Sequence, residues 1–215
     1  MARRRDLQGH RERLSAATWS VLAEHGLAGL TLRAVAERAG CSTGLVLHTF
    51  PDKQALLVHA RTLLHERTAA RADAAQASGP EPLDALRAVL MQVASGSDDK
   101  REEARVWVGF LAAALADPEL ARLHRAHNRT FLRRIQQLVA ACRPDWSPEQ
   151  AARSATTLVA LVEGLNALAA VDLDTYSAAA QQVAIEAALH QVRAERPLSP
   201  HGDTAGSTVG PGVSG

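Results

Sequence analysis

The chain has 215 residues, room for one large domain or two small ones, and 47% of them are hydrophobic against 22% charged, enough to bury a core. The formal net charge of +1 excludes a bulk polycation, and two distant cysteines, Cys41 and Cys142, have no metal-ligand spacing and fit a reducing compartment. No apolar run follows the first arginines, and Asp117, Glu163 and Asn166 interrupt the longest apolar stretches; a signal peptide, a membrane partner and a membrane span are not expected, and the cytoplasm is the expected location.

Aromatics make up only 3%, and Ala and Leu carry the apolar content. Stretches such as "FLAAALADPELARLH" are rich in strong helix formers and poor in β-branched residues, so the fold class is expected to be all-α. In the first thirteen residues Arg3, Arg4, Arg5, Arg11 and Arg13 outweigh Asp6 and Glu12. Residues 1–8 therefore read as a basic arm for nucleic acid or another acidic surface.

Leu14, Thr18, Val21, Leu22 and His25 recur at helical spacing over 9–25, and Gly26 and Gly29 end that helix. Thr31 caps a second helix, with Leu30 and Val35 as a hydrophobic staple, and Gly40 stops it. Ser42 caps a third, very short helix, with Cys41 and Val46 in the staple positions. Cys41 is read as a small packing residue and not as a redox switch. Pro51 ends the third helix near Thr49–Phe50. Asp52 caps a long fourth helix bearing Leu56, Leu57, Ala60, Leu63 and Leu64, which fades at "ASGPEP".

Pro80 and Pro82 open a fifth helix reaching about Ser95, and a sixth covers about 99–116. Asp117 with Pro118 starts a seventh, reaching about Cys142, and Ser147 with Pro148 starts an eighth over about 148–171. Asp174 is expected to cap a ninth helix, which ends near Arg196. The Gly/Ser/Pro-rich tail 197–215 is expected to be disordered.

A seven-residue helix is too weak to stand alone. Two short helices joined across Gly40 match a helix-turn-helix unit at 30–49, in which the second helix enters the DNA major groove. Leu45, Val46 and Phe50 are expected to face inward. Thr43, Gly44, Leu47, His48 and Thr49 are left outward, small or polar. Gly44 lets the backbone approach the duplex closely. Thr31 and Ser42 cap helix N-termini that can receive phosphates, and Arg33 and Lys53 are placed to reach them. Arg4 and Arg5 either enter the adjacent minor groove or only add salt-dependent affinity.

The segment 11–57, "RERLSAATWSVLAEHGLAGLTLRAVAERAGCSTGLVLHTFPDKQALL", resembles the DNA-binding domain of the TetR family of transcriptional regulators. The features that carry the resemblance are an Ala-rich first helix ending in Gly26, "LTLRAVAERAGCS", Gly44, and the aromatic and Lys of "FPDK". The family usually has Tyr where this chain has His48, a departure that makes one backbone contact sensitive to pH. "EARVWVGFLAAALADPEL" at 103–120 and "LVALVEGLNALA" at 158–169 resemble the BetI-like branch.

The resemblance implies a DNA-binding domain over 9–55 and a six-helix effector-binding and dimerisation domain over 56–196. It also implies a homodimer through helices about 148–171 and 174–195, double-stranded DNA and a small-molecule effector as partners, and no resident cofactor. Leu158, Leu161, Val162, Leu165, Leu168, Val183, Ile185, Ala188, Leu189 and Val192 make wide apolar faces that one protomer is not expected to cover.

Trp107, Phe110, Leu111 and Phe131, with Glu163 and Asn166, are the candidate ligand set. Ring faces around an acid would suit a cationic ligand, of the choline type that the BetI-like resemblance hints at. His124 and His127 lack a third ligand of clear spacing, so they read as surface histidines and no metal site is expected. There is no nucleophile beside a base and no phosphate loop, so no catalytic residue is nominated and an enzyme is not expected. A constitutive, architectural DNA-binding protein without an effector is the alternative.

Overall fold

In the computed structural model residues 2–94 and 98–194 are described, with side chains for 9–94 and 100–194. Among these the chain forms helices only: α1 (Ala2–Gly29), α2 (Leu32–Ala39), α3 (Thr43–Thr49), α4 (Lys53–Ser78), α5 (Pro82–Val93), α6 (Asp98–Ala114), α7 (Pro118–Cys142), α8 (Pro148–Ala169) and α9 (Ala178–Ala194).

Local signals set most boundaries. Thr31, Ser42 and Asp52 accept hydrogen bonds from the backbone N–H of Ala34 (3.1 Å), Leu45 (3.2 Å) and Ala55 (2.7 Å). Each side chain satisfies a donor that the first turn leaves unpaired. Asp117 does the same for Glu119 and Leu120, and Ser147 and Gln150 form a reciprocal capping box. Gly40 ends α2 in the left-handed region (φ 64°), and Cys41 N–H reaches back to Ala36 O at 3.0 Å.

Three boundaries differ from expectation. Helical backbone begins at Ala2 and not at residue 9, so the basic segment continues the first helix. Gly26 (φ 61°) breaks the helix axis, but one more turn follows to Gly29. Asp174 does not cap the ninth helix. Ser177 accepts from Ala180 N–H at 3.3 Å and α9 starts after it, while Asp172 bonds Thr175 N–H within the loop. α5 ends at Val93, with extended backbone at Ala94, just short of the expected Ser95; the expected end of the ninth helix near Arg196 and the tail 197–215 lie outside the described residues.

Two apolar cores share α4. Leu14, Leu22, Leu30, Val35, Val46, Phe50, Leu56 and Leu64 form the first, closed from the far side by Val106, Phe110 and Leu120. Leu86, Val89, Leu90, Ile135, Val139, Leu158, Val162, Ile185 and Leu189 form the second, which Ala72 of α4 also joins. α3 is held through Val46, fully buried, and Phe50 at its C-terminal end. Burying such side chains contributes about 1.5–3 kcal/mol each, which a single seven-residue helix lacks by itself.

The apolar faces of α8 and α9 are narrower than expected. Leu158, Val162, Ile185, Leu189 and Val192 are buried in the protomer's own core. α5 and α7 pack over them. Leu168 (48% exposed), Val171 (89%) and Val183 (69%) remain on the surface.

Candidate nucleic-acid interface and internal cavity

Val46 and Phe50, four residues apart, define the inward line of α3. Thr43, Gly44, Leu47 and His48 lie on its exposed side and Thr49 is half-buried. Leu45 was expected inward but is 41% exposed, because one residue of rotation carries it about 100° from Val46. A Cβ built on Gly44 would meet only Ser42 Oγ, at 3.9 Å, so the surface there is open.

Thr31, Arg33, Ser42 and Lys53 are exposed on the adjoining N-terminal ends of α2, α3 and α4. Arg38 is spent differently, bonding Ser20 and Glu24 of α1 and so fixing α2 against α1. The side chains of Arg4 and Arg5 lie outside the described residues.

Beneath this unit α4, α5, α6, α7 and α8 line a cavity of about 130 Å³ that is partly open to solvent. Of the residues nominated from the sequence, Trp107, Phe131, Glu163 and Asn166 line it; Phe110 and Leu111 do not. Phe110 is 1% exposed and lies in the first core with Val106. Those two share one stripe of α6, whereas Lys100, Glu103, Ala104 and Trp107 share the stripe that faces the cavity. Leu111 is one turn beyond Trp107, outside the cavity.

His124 and His127 were expected on the surface, and both line the cavity instead. His127 stacks on His65, with ring centroids 3.7 Å apart, and Trp107 leans toward His124 at 6.4 Å. Among the described residues no group of three His, Cys, Asp or Glu is placed to hold a metal ion.

The residues missed from the sequence are charged. Arg61, His65 and Arg71 of α4, Lys100 and Glu103 of α6, and Arg134 of α7 all line the cavity. One signal was available: Arg61 lies between Leu57 and Leu64 on a continuous helical stripe, a charge at a core position. Arg71 pairs with Glu103, and Arg134 with Asp73. Lys100 donates to Met91 O at 3.4 Å.

Arg61 is 4% exposed, and its Nε has no hydrogen-bond partner. Burial lowers its pKa to about 10, although Glu163 works the other way. Burial likewise raises Glu163 to about 7 against the attraction of Arg61. It lowers His127 to about 4, with Arg61, His65 and His124 adding to the effect. His65 and His124 are lowered too, by burial and then by Arg61.

The Glu163 carboxyl ionises near 4.5 when unfolded and near 7 when folded, so the folded state holds the extra proton between those values. Stability from this group therefore falls as pH rises through that window. Glu163→Gln removes the titration. The variant should melt close to wild type at pH 4.5 and increasingly above it up to pH 8, by at most about 3 kcal/mol. Melting curves at five pH values check this; a constant difference would mean that Glu163 is not buried as ionised carboxylate.

The model of bacterial regulatory proteins of the tetR family matches residues 14–60, and that of BetI-type transcriptional repressors, C-terminal, matches 82–194. The HTH-type transcriptional regulator BetI of Stenotrophomonas maltophilia is 36% identical over 156 residues, 72% of this chain and 78% of that one. Its counterpart in Burkholderia thailandensis is 37% identical over 175 residues, 78% and 87% of the two chains.

A transcriptional regulator from Rhodococcus sp. Rha1 superposes with a TM-score of 0.74 at 29% identity, over 84% of this chain and 94% of that one. A protein from Saccharomonospora viridis, crystallised in complex with choline, has the same fold (TM-score 0.76, 18% identity, 85% and 96% covered). No described helix is long and apolar enough to cross a membrane. The capped α2–α3 pair, its exposed outer face and these relatives agree: the chain belongs to the TetR family of transcriptional regulators and carries a BetI-type C-terminal domain.

Proposed function

We propose that this regulator is a cytoplasmic, ligand-released repressor that binds a pseudo-palindromic operator as a homodimer. The observation that carries the reading is α3 itself, a helix too short to persist alone, anchored by Val46 and Phe50, with Thr43, Gly44, Leu47 and His48 exposed. In this reading Thr43, Gly44, Leu47, His48 and Thr49 meet base edges. Thr31, Arg33, Ser42 and Lys53 position the phosphates, and Arg4 and Arg5 add basic charge nearby.

Two such helices related by a two-fold axis read half-sites on one side of the duplex, spaced by the helical repeat of about 10–10.5 bp or its multiples. α8 and α9 supply the dimer face. Leu168 and Val183 are exposed there, and Thr156, Ala160 and Ala187 leave the surrounding surface small enough for close helix approach.

The cavity is the effector site. α4 carries Leu56 and Ala60 into the core beneath α3 and, one residue later, Arg61 into the cavity. A ligand that moves α4 therefore changes the presentation of α3, and ligand and operator oppose each other by reciprocal coupling, typically about 1–3 kcal/mol. The choline complex of the Saccharomonospora viridis protein supports a small-molecule role for this fold.

The test is selection of genomic fragments by the purified protein, followed by footprinting. A protected pseudo-palindrome with two equivalent half-sites is expected. Binding that is salt-sensitive but blind to sequence would overturn the operator reading in favour of an architectural protein.

A further inference from the structure

Buried polar atoms without a hydrogen-bond partner are rare in folded proteins, and where they gather they mark a missing partner. Four such atoms belong to residues that line the cavity: Arg61 Nε is the donor an anion would meet, Glu103 Oε1 and Asn128 Oδ1 are acceptors that call for a donor or a water, and His127 Nδ1 is either according to its tautomer. No described carboxylate forms an ion pair with Arg61. Glu163 faces it from α8, and burial pushes that acid toward its neutral form.

Arg71 pairs with Glu103 and Arg134 with Asp73, which leaves Arg61 and Lys100 as cations and Glu163 as the acid without an ion pair among the described lining residues. A quaternary ammonium is held by several ring faces and an ionised acid. This cavity offers Trp107 and Phe131 as its large aromatics and a buried guanidinium facing its free carboxyl. A cationic ligand, the class the BetI-like resemblance hints at, would lie against the Arg61 guanidinium.

We propose that the effector is an organic anion, a small carboxylate with an apolar body about the size of one aromatic ring, anchored by the Arg61 guanidinium. The inference rests on the reading of the cavity as the effector site. A guanidinium presents a planar fork that a carboxylate matches with two parallel hydrogen bonds, and burial strengthens both. The body size follows from the volume: an engineered cavity of about 150 Å³ holds benzene, and this one measures about 130 Å³. Leu64, Ala72, Val93 and Ala104 supply apolar wall.

Matched carboxylate, carboxamide and ammonium compounds on the same apolar bodies, propyl to naphthyl, with benzoate, benzamide and benzylammonium at the centre and choline added, test this on the full-length protein. Binding is read by calorimetry and thermal shift at pH 8. The carboxylate of at least one body should bind at least tenfold more tightly than its carboxamide, and the ammonium compounds should not saturate. Arg61→Met should lose that preference while remaining folded by circular dichroism.

Should Arg61→Met not fold, Glu163→Gln decides. The groups facing Arg61 are Glu163 on α8, His65 on α4, and His124 and His127 on α7. Glu163 is the competing anion at pH 8, so its removal should leave carboxylate affinity equal or higher, and a tenfold loss would overturn the proposal. Tighter binding of choline or benzylammonium than of any carboxylate would also overturn it, while leaving the effector site in place. Saturation by no member of any series would remove the effector reading together with this inference.

Discussion

Gly44→Trp should abolish operator binding and leave the fold intact. In the free protein the position is exposed, and a Cβ there makes only an ordinary contact with Ser42 Oγ at 3.9 Å. Glycine is also a poor helix former, so the substitution carries no local penalty in helix propensity. The melting temperature should move by less than about 4 °C, the equivalent of roughly 1 kcal/mol in a chain of this size. On DNA the indole would occupy the gap through which the backbone of α3 approaches the duplex. Specific affinity should fall by about 10³-fold or more, to the level of arbitrary sequence. Fluorescence anisotropy on operator and scrambled duplexes separates the two. An operator affinity equal to wild type would show that α3 does not enter the groove.

Leu168→Arg combined with Val183→Arg should give a folded monomer. Both side chains are exposed in the protomer, at 48% and 69%, so neither change disturbs the core. In a two-fold interface each substitution occurs twice, and like charges brought together across it cost several kcal/mol. A monomer reads one half-site only and forgoes the gain from linked binding, about 10²–10⁴ in affinity. Sedimentation should show a mass near 22.9 kDa in place of twice that value, with operator affinity reduced by about 100-fold or more. A dimer that survives both arginines would move the interface away from the exposed faces of α8 and α9.

The effector proposal and the dimer proposal meet on α8. Glu163 and Asn166 line the cavity, while Leu168, two residues further on, lies on the exposed surface. A ligand anchored at Arg61 sits beside Glu163 and therefore acts on the helix proposed to carry the dimer contact. The same ligand acts on α4, which bears Arg61 and supports α3 through Leu56 and Ala60. Coupling between cavity and operator needs no further element.

The short-range features were legible in the chain. Thr31, Ser42, Asp52, Asp117 and Ser147 cap helices through bonds to backbone two or three residues away, and Gly40 ends α2 by its own φ. Such signals depend on a few neighbouring residues and survive any tertiary arrangement. The short α3 was legible for the same reason, since its flanking caps and Pro51 delimit it.

What composition and periodicity left open is which neighbour each helical stripe meets. Phe110 and Trp107 are three residues apart on α6, yet one is sealed in the first core and the other faces the cavity. Val162 and Leu168 both read as interface, but α5 and α7 pack over the protomer's own side of α8, burying one and leaving the other exposed. Arg61, Glu103, His127 and Glu163 come from four helices and share no sequence window. The sequence by itself determined the helices, most of their caps and the short capped α2–α3 pair, because those rest on local hydrogen bonds and spacing. Only the packing of α4, α6, α7 and α8 against one another decided that their charged residues surround one cavity, because that depends on helix rotation and crossing, set by contacts between segments distant in the chain.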